Sequence, residues 1–326
     1  MLALLFAVTP ALAPGVLTSS ALLSMLPFAA ILAIAAIGQT LVIQQGGLDL
    51  SVPGGISLAA VVITKYPNLD GGKLPVALLF VVLLSAAAGL LSGLLITQLR
   101  ITPLVATLGV NALLIGGVFQ YSGGSPTGAP NNLNHFALNK SGGVPNTVIV
   151  ALIAIVAAAF LIKRTVAGRR FESIGENNEA AHVIGMAVTR YKVSAYVLGS
   201  ICYGVAGILI AGFEQTPGTD VGNSFLLPSV AAVVLGGTAL SGGVGSVVAS
   251  ACGAFFITLL DQIVLSMGAK TSAQLLVESG AIAIGMGIRV VRWSSIAGRF
   301  VPATASLSSS AHEDDATAQK GATEST

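Results

Sequence analysis

The stretch KRTVAGRRFESIGENNEAAHVIGMAVTRYK, residues 163–192, decides how this chain is read. It holds six of the fifteen Lys and Arg, three of the thirteen acids and one of the three His. On one side runs NTVIVALIAIVAAAFLI, residues 146–162, and on the other VSAYVLGSICYGVAGILIAGF, residues 193–213. Both flanks belong in lipid, because about 20 mostly apolar residues are what a helix needs to cross a bilayer. The polar stretch is therefore an internal loop between membrane spans. It carries charge and a helical pattern of its own, which makes it a place where something in the aqueous phase grips a membrane protein.

The rest of the composition agrees. The chain is 54% hydrophobic and 9% charged, with mean hydropathy +0.89. Soluble domains carry about 25% charged residues. So few charges cannot cover a water-soluble globule of 326 residues. The fold class that follows is all-α, a polytopic membrane helical bundle. The net charge of +2 gives no reason to expect nucleic acid, since the basic residues lie between spans. Cys202 and Cys252 stand alone in apolar segments and read as small core residues. His135, His182 and His312 show no ligand spacing, so no metal is expected.

About ten candidate spans follow from length and apolarity. They cover residues 1–14, 22–43, 50–64, 75–98, 101–121, 146–162, 192–213, 226–240, 244–264 and 272–289. With a cytoplasmic N-terminus, Arg100, Lys163, Arg164, Arg169, Arg170, Arg190, Lys192, Arg289, Arg292, Arg299 and Lys320 fall inside. Lys65, Lys73, Lys140 and Lys270 fall outside. Every Arg lands on one side, the bias that sets orientation. The first span reaches Pro10 and Pro14 at once, and it reads as a span whose natural start lies upstream of Met1. The alternative is a signal peptide cut near Ala11–Ala13, although no positive n-region precedes it. The organisation expected is a transmembrane domain over 1–298, with the polar loop 163–192 inside it. A Ser/Thr/Ala-rich tail over 299–326 cannot bury a core and is expected to be disordered and cytoplasmic.

Within the spans, QTLVIQQGGLDLSVPGG (residues 39–55) breaks the apolar pattern. Two Gly pairs and Pro53 do not propagate a helix. Irregular backbone at membrane depth survives only against protein or a water-filled cavity. Asp49 is costly there unless paired or capping a helix. Two readings stand together: a broken helix lining a translocation path, and a short turn in which Asp49 or Ser51 is an N-cap. GGTALSGG, residues 236–243, echoes the first break as G-G-x-x-L-S. Paired broken helices in corresponding segments point to a transporter core. Small residues such as Gly89, Ser92, Gly93, Gly204 and Gly207 read as helix-packing positions. Asp261 and Glu278 are carboxylates in or near the last spans, and Glu278, the more central, either pairs or lines a cavity. No Walker loop, HExxH or acid–base set occurs, so no catalytic residue is assigned and the chain cannot hydrolyse ATP alone.

Inside the polar stretch, residues Phe171 to Met186 are expected to form a short helix. Asn177 or Asn178 would start it, and Gly185 would stop it. Ala180, Ala181 and Ile184 would form a small apolar face beside Glu176, Glu179 and His182, behind Arg169 and Arg170. Such a helix suits a groove on a partner protein. The competing reading is an amphipathic helix held on anionic lipid by its basic residues.

GRRFESIGENNEAAHVIGM resembles the cytoplasmic loop of bacterial ABC-importer permeases of the ribose/xylose/arabinose type. The matching positions are Gly168, Arg169, Gly175, Asn177, Ala180, Ala181, Gly185 and Met186. QTLVIQQGGLDLSVPGGISLAA, TPLVATLGVNALLIGG and SVAAVVLGGTALSGGVGSVVASACGAFF resemble further blocks of that family, in order, over about residues 36–290. Pro53 departs from the family's usual Gly, and Glu278 from its usual basic or small residue.

The resemblance implies a permease subunit in the bacterial inner membrane. It would pair with a second, identical or different permease subunit, with cytoplasmic ABC ATPase subunits and with an extracytoplasmic sugar-binding protein. No cofactor is implied. Glu176–Met186 would be the coupling helix, with Arg170 and Glu179 joining the matched positions as ATPase-coupling residues. The polar amides and hydroxyls Gln39, Gln44, Gln45, Asp49, Ser51, Thr107, Asn111 and Gln120, with Glu278, are the residues expected along the path. Such groups suit a neutral polyol. Branched-chain amino acids or nucleosides remain alternative substrates. A self-contained secondary transporter is the alternative of another class, but it has no need of the polar loop. The long outer loop Ser122–Thr147 would meet the binding protein or simply flex.

Overall fold

The computed structural model describes residues 15–268 without interruption, with residues 5, 6, 9, 10, 13, 272, 274–277, 279, 280 and 283 beside them. The chain divides into Met1–Ala283 and Ile284–Thr326, and every described residue lies in the first unit. Glu278, most of the expected first and last spans and the tail 299–326 lie outside the described residues.

The helices are α1 (Ser19–Gln44), α2 (Val52–Lys65), α3 (Leu74–Thr97), α4 (Pro103–Ser122), α5 (Asn131–Leu138), α6 (Asn146–Arg164), α7 (Val166–Glu176), α8 (Asn178–Val183), α9 (Val188–Glu214), α10 (Leu226–Leu235) and α11 (Val247–Ser266). Among the described residues, six helices are long and apolar enough to cross a membrane. The six match six of the ten expected spans, and most of the first and last expected spans lies outside the described residues. The segments 50–64 and 226–240 form the shorter helices α2 and α10. The fourteen residues of α2, at about 1.5 Å each, reach about 21 Å, short of a hydrocarbon core of roughly 30 Å. Non-helical backbone completes such a crossing, and it must be buried in protein.

Helix α1 is the axis of the fold. From Ala29 to Gln44 every residue is buried, and α9, α11, α6 and α10 pack around it. The reason is local: FAAILAIAAIGQTLVIQ is apolar all round rather than on one stripe, which marks a helix enclosed by others. Thr40 Oγ1 donates to Ser250 Oγ at 2.8 Å and ties α1 to α11. Helix α3 has the opposite character. It turns Ser85, Ala88, Gly89, Ser92 and Gly93 inward, spaced three and four apart, and leaves Leu79, Leu83, Leu84 and Leu90 outside. Small residues let backbones approach closely where lipid supplies no hydrophobic drive. A Cβ on Gly89 would sit inside contact distance of the Tyr196 carbonyl oxygen, so the two backbones touch there. Gly89→Leu is expected to lower stability by at least about 1–3 kcal/mol, because the clash is with backbone. Leu83→Ala on the outer face should change it by less than about 0.5 kcal/mol. Thermal unfolding in detergent compares the two, and equal midpoints would refute the close contact.

One end of the bundle carries α7, α8 and the α1–α2 connection. The other carries α5, β1 (Lys140–Ser141) and β2 (Val144–Pro145), an antiparallel pair with Ser141 opposite Val144. The long 122–147 loop is thus built rather than slack. Leu133 and Ala137 of α5 are buried, and they lie within 2.9 Å of a Cβ placed on Gly212 of α9.

Candidate functional site

The loop-bearing end holds a joint made by three segments. The first is the end of α1. Gly46 takes φ +73°, Gly46 N donates to Ile43 O at 2.9 Å, and Gly47 N donates to Val42 O at 3.2 Å. This crossed pair is the Schellman stop, which needs a left-handed residue and so selects Gly. The second segment repeats the device. Helix α10 stops with Gly237 N on Val234 O at 3.0 Å and Thr238 N on Val233 O at 3.1 Å. The G-G-x-x-L-S echo therefore marks the same helix stop twice, displaced by one position: the left-handed Gly is the first of its pair in one turn and the second in the other. The two turns meet. Gly243 N donates to Gln44 O at 2.9 Å, and a Cβ on Gly242 would lie 3.0 Å from Gly46 N.

The third segment is α7. Gly168, Phe171, Ile174 and Gly175 form its buried face, while Arg169, Arg170 and Glu176 are exposed. Gln45 Nε2 donates to the Phe171 carbonyl at 2.8 Å. Gly175 lies directly on the Gln44 carbonyl, where a Cβ would have no room. The polar stretch is thus seated on the end of the central helix and on the turn that faces it.

The single helix expected over Phe171–Met186 is two helices. Asn177 is extended, with φ −151° and ψ 98°, and its Oδ1 accepts from Ala180 N at 2.9 Å, so α8 starts afresh. An Asn side chain competes for backbone N–H groups and favours such a cap over a helix interior. Gly185 ends α8 at φ +78°, as expected, with Met186 N on Ala181 O at 3.0 Å. The apolar face differs from the expected one. Ala181 turns inward, and Val183 and Ile184, 84% and 70% exposed, form the tip beside exposed Glu179, Ala180 and His182. The break at Asn177 rotates α8 against α7, which no single-helix projection anticipates. Phe171, Ile174 and Val183 were missed in the sequence. Their signal was the run of apolar positions at helical spacing inside the polar stretch.

Of the expected path residues, Gln39, Gln44, Gln45, Asp49, Ser51 and Thr107 are buried around the α1–α2 connection. Tyr203 Oη donates to Gln39 Oε1 at 2.9 Å. Asp49 Oδ1 accepts from Ser51 N at 2.9 Å and Ser51 Oγ at 2.6 Å, closing a local turn. Ser51 occupies the N-cap position of α2 but makes no side-chain cap. Helix α4 caps it instead: Thr107 Oγ1 accepts from Leu50 N at 3.0 Å, and Asn111 Oδ1 accepts from Gly54 N at 2.8 Å. Thr107 and Asn111 stand four apart on one face of α4 and hold α2's first turn. Gln120 stands exposed on the same helix, apart from this group. Asn111→Leu leaves the Gly54 N–H without an acceptor, a cost of about 1–3 kcal/mol. Amide exchange over residues 52–56 should speed accordingly, and unchanged exchange would remove this role.

Several polar atoms in the joint have no hydrogen-bond partner: both amide atoms of Gln44, Gln45 Oε1, Asp49 Oδ2, Thr238 Oγ1 and Tyr196 Oη. Most buried polar groups are paired, so a concentration of atoms without a partner singles out this joint. Near the opposite end, a cavity of about 280 Å³ is lined by Phe28, Glu214, Ser224, Asp261 and Gln262. None of the described path residues reaches it. Among the described residues, no group of three His, Cys, Asp or Glu stands close enough to hold a metal.

A buried, twice-broken helical core carrying a seated polar loop is the architecture of a membrane transport component. Residues 21–286 match the family described as branched-chain amino acid transport system/permease component, and this chain belongs to that family. It is 31% identical over 290 residues to the ribose import permease protein of Escherichia coli (strain K12), covering 87% of this chain and 90% of that one. It is 33% identical over 277 residues to the ribose import permease protein of Bacillus subtilis (strain 168), covering 84% and 85%. It is 33% identical over 262 residues to the autoinducer 2 import system permease protein of Enterobacter sp. (strain 638), covering 80% and 76%. No solved structure matches the chain.

Proposed function

We propose that this chain is the membrane permease subunit of an ATP-driven sugar importer. The observation that carries the reading is its likeness, over nearly the whole of both chains, to permeases named for ribose import. The seat of the polar loop on the α1 break supports the mechanism. In this reading α7 and α8 dock separate ATPase subunits, with Arg169 and Arg170 as exposed cations and Val183 and Ile184 as an apolar tip. Gly168, Gly175, Glu176, Asn177, Glu179, Ala180, Ala181, Gly185 and Met186 shape that surface. The loop end is the cytoplasmic side, because Arg100, Lys163, Arg164, Arg169, Arg170, Arg190 and Lys192 gather there. The chain acts in the bacterial inner membrane beside a second permease subunit and receives its sugar from an extracytoplasmic binding protein at the α5 end.

ATP-driven closure of the ATPase pair would press α7 against the α1 and α10 stops. The α1 end, held by Gln45, Gly175 and Gly243, would move as one body. The unpaired groups of Gln44, Asp49 and Thr238 would find partners in the alternative arrangement, which gives the two states whose balance the partners bias. Neutral amides and hydroxyls along Gln39 to Ser51 suit a polyol, which needs hydrogen bonds rather than charge.

The test is a pull-down of the detergent-extracted protein from its host, followed by mass spectrometry and ribose uptake. Recovery of an ATPase with a phosphate-binding loop, together with ATP-dependent uptake that leucine does not compete away, supports the reading. Recovery of the permease alone, with uptake intact in cells lacking the ATPase, refutes it.

A further inference from the structure

Helices α6 and α9 both flank α1, and an apolar groove of about 350 Å³ opens along it between them. Its floor is Ile37 and Leu41 of α1. Its walls include Ala158 and Leu161 of α6 and Leu198 and Ile201 of α9. At the loop end it reaches Thr165, Gly168, Phe171 and Tyr191. Each of these four has a cation as its chain neighbour: Arg164, Arg169, Arg170, and Arg190 with Lys192. The acids of this region do not offset them. Glu172 pairs with Lys163, and Glu176 and Glu179 lie beyond the far end of α7's buried face. An apolar slot whose loop-end residues are flanked in the chain by exposed cations matches the two parts of one molecule.

We propose that this groove is a binding site for an anionic phospholipid, its acyl chain along Ile37 and Leu41 and its phosphate between Arg164 and Arg190. The acyl chain fills space that would otherwise forfeit dispersion contacts. It gains little from the hydrophobic effect, since the surrounding lipid is equally apolar. Selectivity therefore comes from the headgroup. Basic pockets between membrane helices on the cytoplasmic side favour anionic lipids, by roughly fivefold for each cation engaged. The bound lipid would brace α6 against α9 at the root of α7, where the polar loop leaves the membrane. Only the choice of leaflet rests on the sidedness proposed above; the groove and its charge do not.

The test uses the intact complex extracted with an equimolar mixture of phosphatidylglycerol and phosphatidylcholine of the same acyl chains, read by native mass spectrometry. The wild type is expected to retain phosphatidylglycerol at least about fivefold over phosphatidylcholine. Arg164→Gln with Arg190→Gln should bring the ratio close to one. Ala158→Trp fills the slot and should remove the retained lipid of both kinds. Should that variant fail to assemble, Ser194→Phe fills it from the α9 wall with the same expected loss. Equal retention of the two lipids by the wild type, or unchanged retention in an assembled filler variant, overturns the proposal. So does a groove occupied by another protein segment of the complex. The readout involves neither transport nor ATP, so its failure leaves the importer reading standing, and the reverse holds too.

Discussion

Gly175→Leu is expected to cut ATP-driven uptake by about tenfold to a hundredfold while leaving the ATPase bound. Gly175 lies on the Gln44 carbonyl with no space for a Cβ. A leucine there must lift α7 from the end of α1 or displace the α1 stop itself. Overpacking of this kind costs about 1–3 kcal/mol, and each 1.4 kcal/mol of lost coupling is about a factor of ten. The exposed face of α7 and the tip of α8 are untouched, so the pull-down should still recover the ATPase. Gln45→Leu is the graded companion. It removes one hydrogen bond, to Phe171 O, worth about 1 kcal/mol, and should lower uptake only several-fold. Wild-type uptake by an assembled Gly175→Leu protein would show that this contact transmits nothing.

Arg169→Glu combined with Arg170→Glu should reduce ATPase recovery by at least about tenfold and abolish uptake with it. Both side chains are exposed, and neither stands in an ion pair among the described residues. Surface changes of this sort alter stability by about 0.5 kcal/mol or less, so the fold should persist, and a symmetrical gel-filtration peak checks that. Charge reversal at an interface costs association through like-charge contact. Residual binding of the double variant should also rise with added salt, as repulsion is screened over about 8–10 Å. Normal uptake in the double variant would remove these residues from the docking surface. The two experiments separate the roles: the first breaks transmission with docking intact, and the second breaks docking.

Much of the architecture was legible before any coordinates. The class followed from sparse charge. The Gly185 stop was legible in a single residue. Each of these is a local or compositional property. The count of spans was less legible, because residues 50–64 and 226–240 form helices of 14 and 10 residues, too short to cross without non-helical backbone. The Asn177 start was legible as well, since its side chain caps α8; the separate helix α7 before it was not, because the whole stretch from Phe171 read as one helix.

The sequence by itself determined that this is a polytopic membrane protein with a polar loop between its spans, since apolar length and sparse, clustered charge are written residue by residue. The tertiary structure alone decided that Gly242 and Gly243, beyond the α10 stop, meet the α1 stop and that Gly175 rests on Gln44. It also decided that Thr107 and Asn111 cap α2, residues that sequence reasoning assigned to the path. The contact of Gly243 with Gln44 joins positions nearly 200 residues apart, and the caps bridge 57. Which side chain meets which backbone group at such separations is set by how the helices pack around α1, and no local pattern encodes that packing.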